Sequence, residues 1–139
     1  MISVGQKASF SKTISESDVY LFAGITGDLN PLHVNEAAAR KMMFGKRIAH
    51  GMLTSSFIST VIASSLPGPG TIYMEQNSRF LAPVYLGDTI TACVEVEELL
   101  TRGKARLRTQ VFNQDGKLVV DGTALVKLPK EEQAAEDQS

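Results

Sequence analysis

The spacing of apolar and polar residues changes part-way along this 139-residue chain. In the C-terminal half, Thr71 to Phe80, Thr89 to Leu99, Ala105 to Asn113 and Leu118 to Leu128 are rich in β-branched and aromatic residues, which predicts four strands. Arg106, Arg108 and Gln110 alternate with Leu107, Thr109 and Val111, a period of two with one wet face, and Gln114-Asp115-Gly116 supplies a hairpin turn. The N-terminal half reads differently. Ala8 to Ile14 alternates loosely as a short strand, and Ser15 with Asp18 three residues later caps a helix expected over about Glu16 to Ile25. Gly24 and Gly27 weaken its end and lead into a loop, Asp28 to Leu32, where Pro31 disfavours the α region for Asn30. Asn35 caps a short helix, Glu36 to Met43, which Gly45 ends. From Ile48 to Leu66 apolar positions spread around most of a helical circumference, the pattern of a helix wrapped on nearly every side. One short strand, a buried helix and four antiparallel strands make a single α+β domain whose sheet curls around the helix.

Composition narrows the setting. With 43% hydrophobic and 21% charged residues, the chain has apolar material for one core. Residues 130–139, KEEQAAEDQS, read as an acidic, disordered tail behind a domain of residues 1–129. Taking its four acids and one lysine out of 15 acidic and 14 basic residues leaves 13 basic against 11 acidic, a body suited to a small anionic ligand. It lacks the basic footprint that nucleic acid demands. Ile48 to Met74 is free of Asp, Glu, Lys and Arg, but Ile48 to Leu66 carries seven hydroxyls and His50 and runs into Pro67-Gly68-Pro69-Gly70, so membrane insertion is not expected. The opening MISVGQKASFSK shows no secretory pattern, and Cys93 is alone, so the expected compartment is a reducing cytoplasm.

Both histidines, His33 and His50, fall between Gly27 and Gly51, close to Asp28. The loop Gly27-Asp-Leu-Asn-Pro-Leu-His33 sets a carboxylate and an imidazole five residues apart on a backbone stiffened by Pro31, so both can face one small volume as an acid/base pair. The blander alternative has Asp28 capping a turn and His33 satisfying a buried carbonyl. Asp28, His33 and His50 match no standard zinc spacing. Ser55, Ser56 and Ser59 lie in no Gly-x-Ser-x-Gly elbow, and the Pro-Gly-Pro-Gly turn lacks the lysine and N–H groups of a phosphate loop.

The run Phe22-Ala-Gly-Ile-Thr-Gly-Asp-Leu-Asn-Pro-Leu-His33, with Ala39 six positions on, resembles the signature of the MaoC-like (R)-specific enoyl-CoA hydratases of the hydratase 2 type. Ile48-Ala-His-Gly-Met-Leu53, Leu66-Pro-Gly-Pro-Gly70 and Phe80-Leu-Ala-Pro-Val-Tyr-Leu-Gly-Asp88 extend the likeness over about Val4 to Pro129. The resemblance implies a hot-dog fold, a homodimer, and reversible syn hydration of trans-2-enoyl-CoA to (R)-3-hydroxyacyl-CoA. It implies Asp28 and His33 as the catalytic pair and the Gly51 N–H as oxyanion donor, with Asn30, His50 and Ser59 in supporting places. His50 reads either as a second polar group in the site or as a structural histidine that caps and packs at the helix start. Neither a metal nor a separate cofactor is implied, since coenzyme A is part of the substrate. Arg79, Arg106, Arg108, Lys46 and Arg47 are the candidates for its phosphates, and the sequence does not choose among them. Two other readings share the fold: an acyl-CoA thioesterase and a non-catalytic acyl-CoA-binding subunit.

Overall fold

The β-rich half folds as its alternation requires. A computed structural model describes residues 1–137, with side chains through Gln133. Strand β1 (Lys7–Thr13) precedes the helices, and β2 (Ile72–Phe80), β3 (Thr89–Leu100), β4 (Lys104–Phe112) and β5 (Leu118–Lys127) follow them. They form one antiparallel sheet in the order β1-β3-β4-β5-β2. On β4, Ala105, Leu107, Thr109 and Val111 are buried while Arg106, Arg108 and Gln110 reach the opposite face, so period two sets the inner and outer sides of the sheet. The register shifts at Tyr73/Glu75, Val96/Glu98 and Val111/Phe112, and such bulges bend strands and help the sheet curl.

Three helical pieces lie between β1 and the central helix: α1 (Glu16–Thr26), α2 (Pro31–Val34) and α3 (Glu36–Ala39). The Ser15/Asp18 capping box forms as expected, with the Asp18 N–H donating to Ser15 Oγ at 3.1 Å and the Ser15 N–H to Asp18 Oδ2 at 2.9 Å. The turn α2 was not legible in the sequence. Asn30 is extended, as Pro31 demands, but Pro31 itself opens a helical turn, where a missing N–H costs nothing. The second helix is shorter than its pattern suggested, because beyond Ala39 the N–H groups of Lys41 and Met42 turn to carbonyls three residues back and the coil tightens.

The central helix α4 (Gly51–Ser64) lies on the concave side of the sheet. Leu53, Ile58, Val61 and Ile62 join Ile90, Val94 and Leu107 in one core. Removing apolar side chains of this size from water stabilises by about 1.5–3 kcal/mol each. Wrapping is incomplete: Met52 is 65% exposed and Ser59 also faces outward, so one flank stays open. No helix among the described residues is long and apolar enough to cross a membrane. The segment read as a disordered tail instead begins as a helix, α5 (Lys130–Asp137). Gln133 Nε2 donates to the Leu128 carbonyl at 2.6 Å and Glu132 accepts the Ile2 N–H at 2.8 Å, contacts that charge counting along the chain cannot foresee. Residues 138 and 139 of that expected tail lie outside the described residues.

Candidate active site

Gly27 closes α1 in the left-handed region, φ 79°, donating to the Ala23 carbonyl, and so turns the chain sharply into the loop that carries Asp28. Two short polar side chains then fix that loop. Asp28 Oδ1 accepts the Asn30 N–H at 3.3 Å, and Asn30 Oδ1 accepts the Leu32 N–H at 3.1 Å. The Asn30 carbonyl in turn accepts the His33 N–H at 2.9 Å. Asp28 remains exposed while His33 is buried, so the carboxylate meets bulk solvent and the imidazole is reached through the cavity it lines.

The two imidazoles are held in opposite tautomers. His33 Nδ1 lies 2.7 Å from the Ile48 carbonyl oxygen, which can only accept, so Nδ1 carries the proton and Nε2 keeps its lone pair. His50 Nε2 donates to the Asp28 carbonyl at 3.0 Å, which leaves its Nδ1 as a buried acceptor without a partner among the described residues. The rings stack with centroids 3.9 Å apart and planes 28° apart, and Phe22 covers the second ring at 4.8 Å. Burial holds the His33 imidazole below the ordinary histidine range, the Ile48 carbonyl opposes that, and His50 adds to it. Near neutral pH His33 is therefore a neutral base.

A carboxylate oxygen of Asp28 and one ring nitrogen each of His33 and His50 lie within 4.8 Å of one another. The cluster is a poor metal cradle. Ring lone pairs lie in the ring planes, and stacked rings keep those planes nearly parallel, so no ion can sit about 2.1 Å from both nitrogens and in line with both lone pairs.

Beside His33 opens a mostly apolar cavity of about 430 Å³, with His33, Gly51 and Thr54 at its polar end and Phe44, Phe80 and Val120 among its walls. Gly51 is the first residue of α4, where helix geometry leaves the N–H without an internal partner and the dipole favours negative charge. The Phe80 ring packs directly on it: an added Cβ would lie 2.8 Å from Phe80 Cδ1, so a larger residue requires that ring to move. The segment ahead of α4 is tied down by Arg47, which donates to Glu36 Oε2 at 2.7 Å and to Glu16 Oε1 and the Tyr20 hydroxyl at 2.6 Å each. It links α1, before the loop, to α3, after it, one residue ahead of the carbonyl that orients His33.

The sequence model of the MaoC like domain matches residues 2–119. The chain belongs to that family. It is 51% identical, over 128 residues, to an (R)-specific enoyl-CoA hydratase of Rhodospirillum rubrum, covering 92% of this chain and 89% of the relative. A 3-hydroxybutyryl-CoA dehydratase of Methylorubrum extorquens is 48% identical over 96% of this chain and 85% of its own length. Among solved structures, the unliganded R-hydratase PhaJ1 of Pseudomonas aeruginosa superposes with a TM-score of 0.89 at 50% identity, covering 92% of this chain and 83% of that one. The five-stranded antiparallel sheet around α4 is the hot-dog fold of these R-hydratases.

In this MaoC-like chain the structure brings Asp28 and His33 together, with Gly51 and His33 on one cavity. Asn30 holds the loop through its side chain and His33 through its backbone. His50 stands at the N-cap position of α4 with no side-chain cap bond; its Nε2 holds the Asp28 carbonyl and its ring stacks on that of His33. Ser59 is not brought to the site: it sits on the open flank of α4. Two residues escaped the sequence reading. Thr54, one turn beyond His50, is buried with an unpartnered hydroxyl and lines the cavity, a placement readable from its helical spacing to Gly51. Phe80 comes from a distant strand end and no local spacing could put it on Gly51.

Proposed function

We propose that the protein is an (R)-specific enoyl-CoA hydratase that adds water reversibly and syn across the double bond of a trans-2-enoyl-CoA. One observation carries this reading: the Asp28 carboxylate lies within 4.8 Å of a ring nitrogen of His33, and the His33 imidazole lines an acyl-sized cavity together with Gly51, the first residue of α4. The names of relatives about half identical to the chain support it. Asp28 and Nε2 of His33 each accept one O–H of a single water, so its oxygen is aimed at C3 with no loss of freedom left to pay in the chemical step. As the C3–O bond forms, one of the pair takes one water proton while the other stays on the oxygen as the new hydroxyl, and the group that took the proton returns it to C2 on the same face. The thioester oxygen gains negative charge meanwhile, and the Gly51 N–H with the α4 dipole meets it there. Every charge that develops has a group of this chain facing it, so the reading assigns no metal and no cofactor beyond the coenzyme A of the substrate.

The same reading includes a homodimer. Edge strand β2 is exposed along almost its whole length and leaves Ile72 60%, Met74 45% and Phe80 52% open, beside Met52 at 65%. Pairing two such edges into one sheet covers that surface and the open flank of α4. A cytoplasmic setting suits the lone, half-buried Cys93. The test uses trans-2-butenoyl-CoA, following loss of enoyl absorbance together with free thiol, with chiral analysis of the product. Hydration to the (R)-alcohol without thiol release is expected. Thiol release without hydration makes the protein a thioesterase instead, and no turnover makes it a binding subunit.

A further inference from the structure

Five cations were open candidates for the phosphates of the thioester carrier, and the structure separates them. Arg47 is consumed by Glu16 and Glu36. Arg106 pairs with Glu98 at 3.2 Å and Arg108 reaches Asp121 at 3.7 Å, both on the outer face of the sheet. Arg79 sits opposite Asp121 in the β2–β5 register, and because its neighbour Phe80 faces the cavity, Arg79 faces the other way. Lys46 remains. It is exposed, it has no acid within ion-pair distance among the described residues, and its Nζ stands 4.3 Å over the Tyr85 ring.

It stands behind the cavity wall, with Phe44 and Ile48, two residues to either side of it, lining the cavity. Tyr85 pairs with Ile48 in an isolated bridge and donates its hydroxyl to the Phe44 carbonyl at 3.4 Å, and Phe44, Ile48 and Val84 line the cavity on either side of the lysine in sequence and of Tyr85 in space. A lysine over an aromatic face keeps its full charge while the ring restricts its stem, so its donors are presented rather than lost to free rotation. In coenzyme A, as in the prosthetic arm of an acyl carrier protein, a pantetheine spacer separates the thioester from the first phosphate. A receiving cation therefore belongs outside the cavity and not at its polar end. Resting on the hydratase reading, we propose that Lys46 is the residue that receives the phosphate ending the pantetheine arm.

The test compares trans-2-butenoyl thioesters of coenzyme A, of holo acyl carrier protein and of N-acetylcysteamine, which has no phosphate. For Lys46→Ala, the ratio of kcat/KM on the coenzyme A thioester to that on the N-acetylcysteamine thioester is expected to fall about three- to fivefold at low salt, the size of an exposed ion pair, and Lys46→Arg is expected to restore it. Lys41→Ala, which removes a charge from the same loop away from the cavity wall, is expected to keep the wild-type ratio. An unchanged ratio in Lys46→Ala, or an equal fall in Lys41→Ala, overturns the assignment. A parallel fall on the carrier-protein thioester supports it and shows that either carrier can supply the phosphate. Calorimetric binding of coenzyme A itself keeps the two readings apart: weaker binding by Lys46→Ala supports this one even if the wild-type protein turns nothing over, and equal binding overturns it.

Discussion

Along β4, Ala105, Leu107, Thr109 and Val111 are all fully buried, and each is flanked by ladder partners on β3 and β5, whereas between Gly27 and Gly51 each orientation rests on a few unlike contacts rather than a repeating ladder. His33 is aimed by one bond to Ile48, the Asp28 backbone by one bond from His50, and the Ile48 segment by one arginine. A sheet shares strain among many equivalent contacts, so damage there appears as lost stability. The loop has no such redundancy, so damage there appears as lost chemistry with the fold intact.

The largest expected effect breaks the loop at its reacting groups. Asp28→Asn and His33→Ala should each lower kcat at least about 100-fold, the scale of a positioned acid or base, while far-ultraviolet circular dichroism stays that of the wild type. Near-normal turnover in either would falsify the pairing.

Two truncations then sharpen the contrast. Leu107→Ala, in the fully buried row of β4, should reduce the free energy of unfolding by about 2–5 kcal/mol in a urea titration and leave kcat per folded molecule within about twofold. Arg47→Ala should do the reverse in kind, lowering kcat/KM by roughly tenfold because sub-ångström displacement of an aimed base is costly. Arg47→Lys should recover part of it, since an ammonium keeps the charge but not the fork that spans Glu16, Glu36 and Tyr20. Equal losses of activity in Leu107→Ala and Arg47→Ala would erase the distinction between the two regions.

The same division explains what could be read from the chain. Strands announce themselves locally: alternation at Arg106 to Val111 and the Gln114-Asp115-Gly116 turn placed β4 and β5 within a residue or two. The capping box at Ser15 and the loop glycine at Gly27 are likewise short-range signals. The nearness of Asp28 to His33 was legible because five residues and a proline join them, whereas their choice as the reacting pair rests on the resemblance to the MaoC-like signature. The sequence leaves His50 between a polar group of the site and a histidine packing at the helix start, since its partner, the Asp28 carbonyl, lies 22 residues away. The Arg47 links span 11 to 31 residues, and Phe80 reaches Gly51 across the fold, so neither leaves a periodic mark. The helix at Lys130 depends on contacts with Ile2 and Leu128, which composition does not report.

The smallest effect is the most diagnostic for His33, because pH acts on both regions through it. Its ordinary value is near 6.5, and burial lowers it in the folded chain, with Ile48 and Asp28 opposing and His50 assisting. As pH falls through 6.5 the unfolded chain takes up a proton that folded His33 still refuses, so the stability this residue contributes is present above 6.5 and is lost on acidification towards the folded value. Activity should persist further down, because the base in the folded enzyme stays neutral until that lower pH. The acid limb of kcat/KM should thus lie below 6.5, under a decline in melting temperature that begins nearer 6.5 and that His33→Ala reduces. An acid limb above 6.5 would mean that the Asp28 charge outweighs burial and that the pair titrates as a coupled ion pair, with the loop more open to water than its single bonds to Ile48 and Asp28 imply.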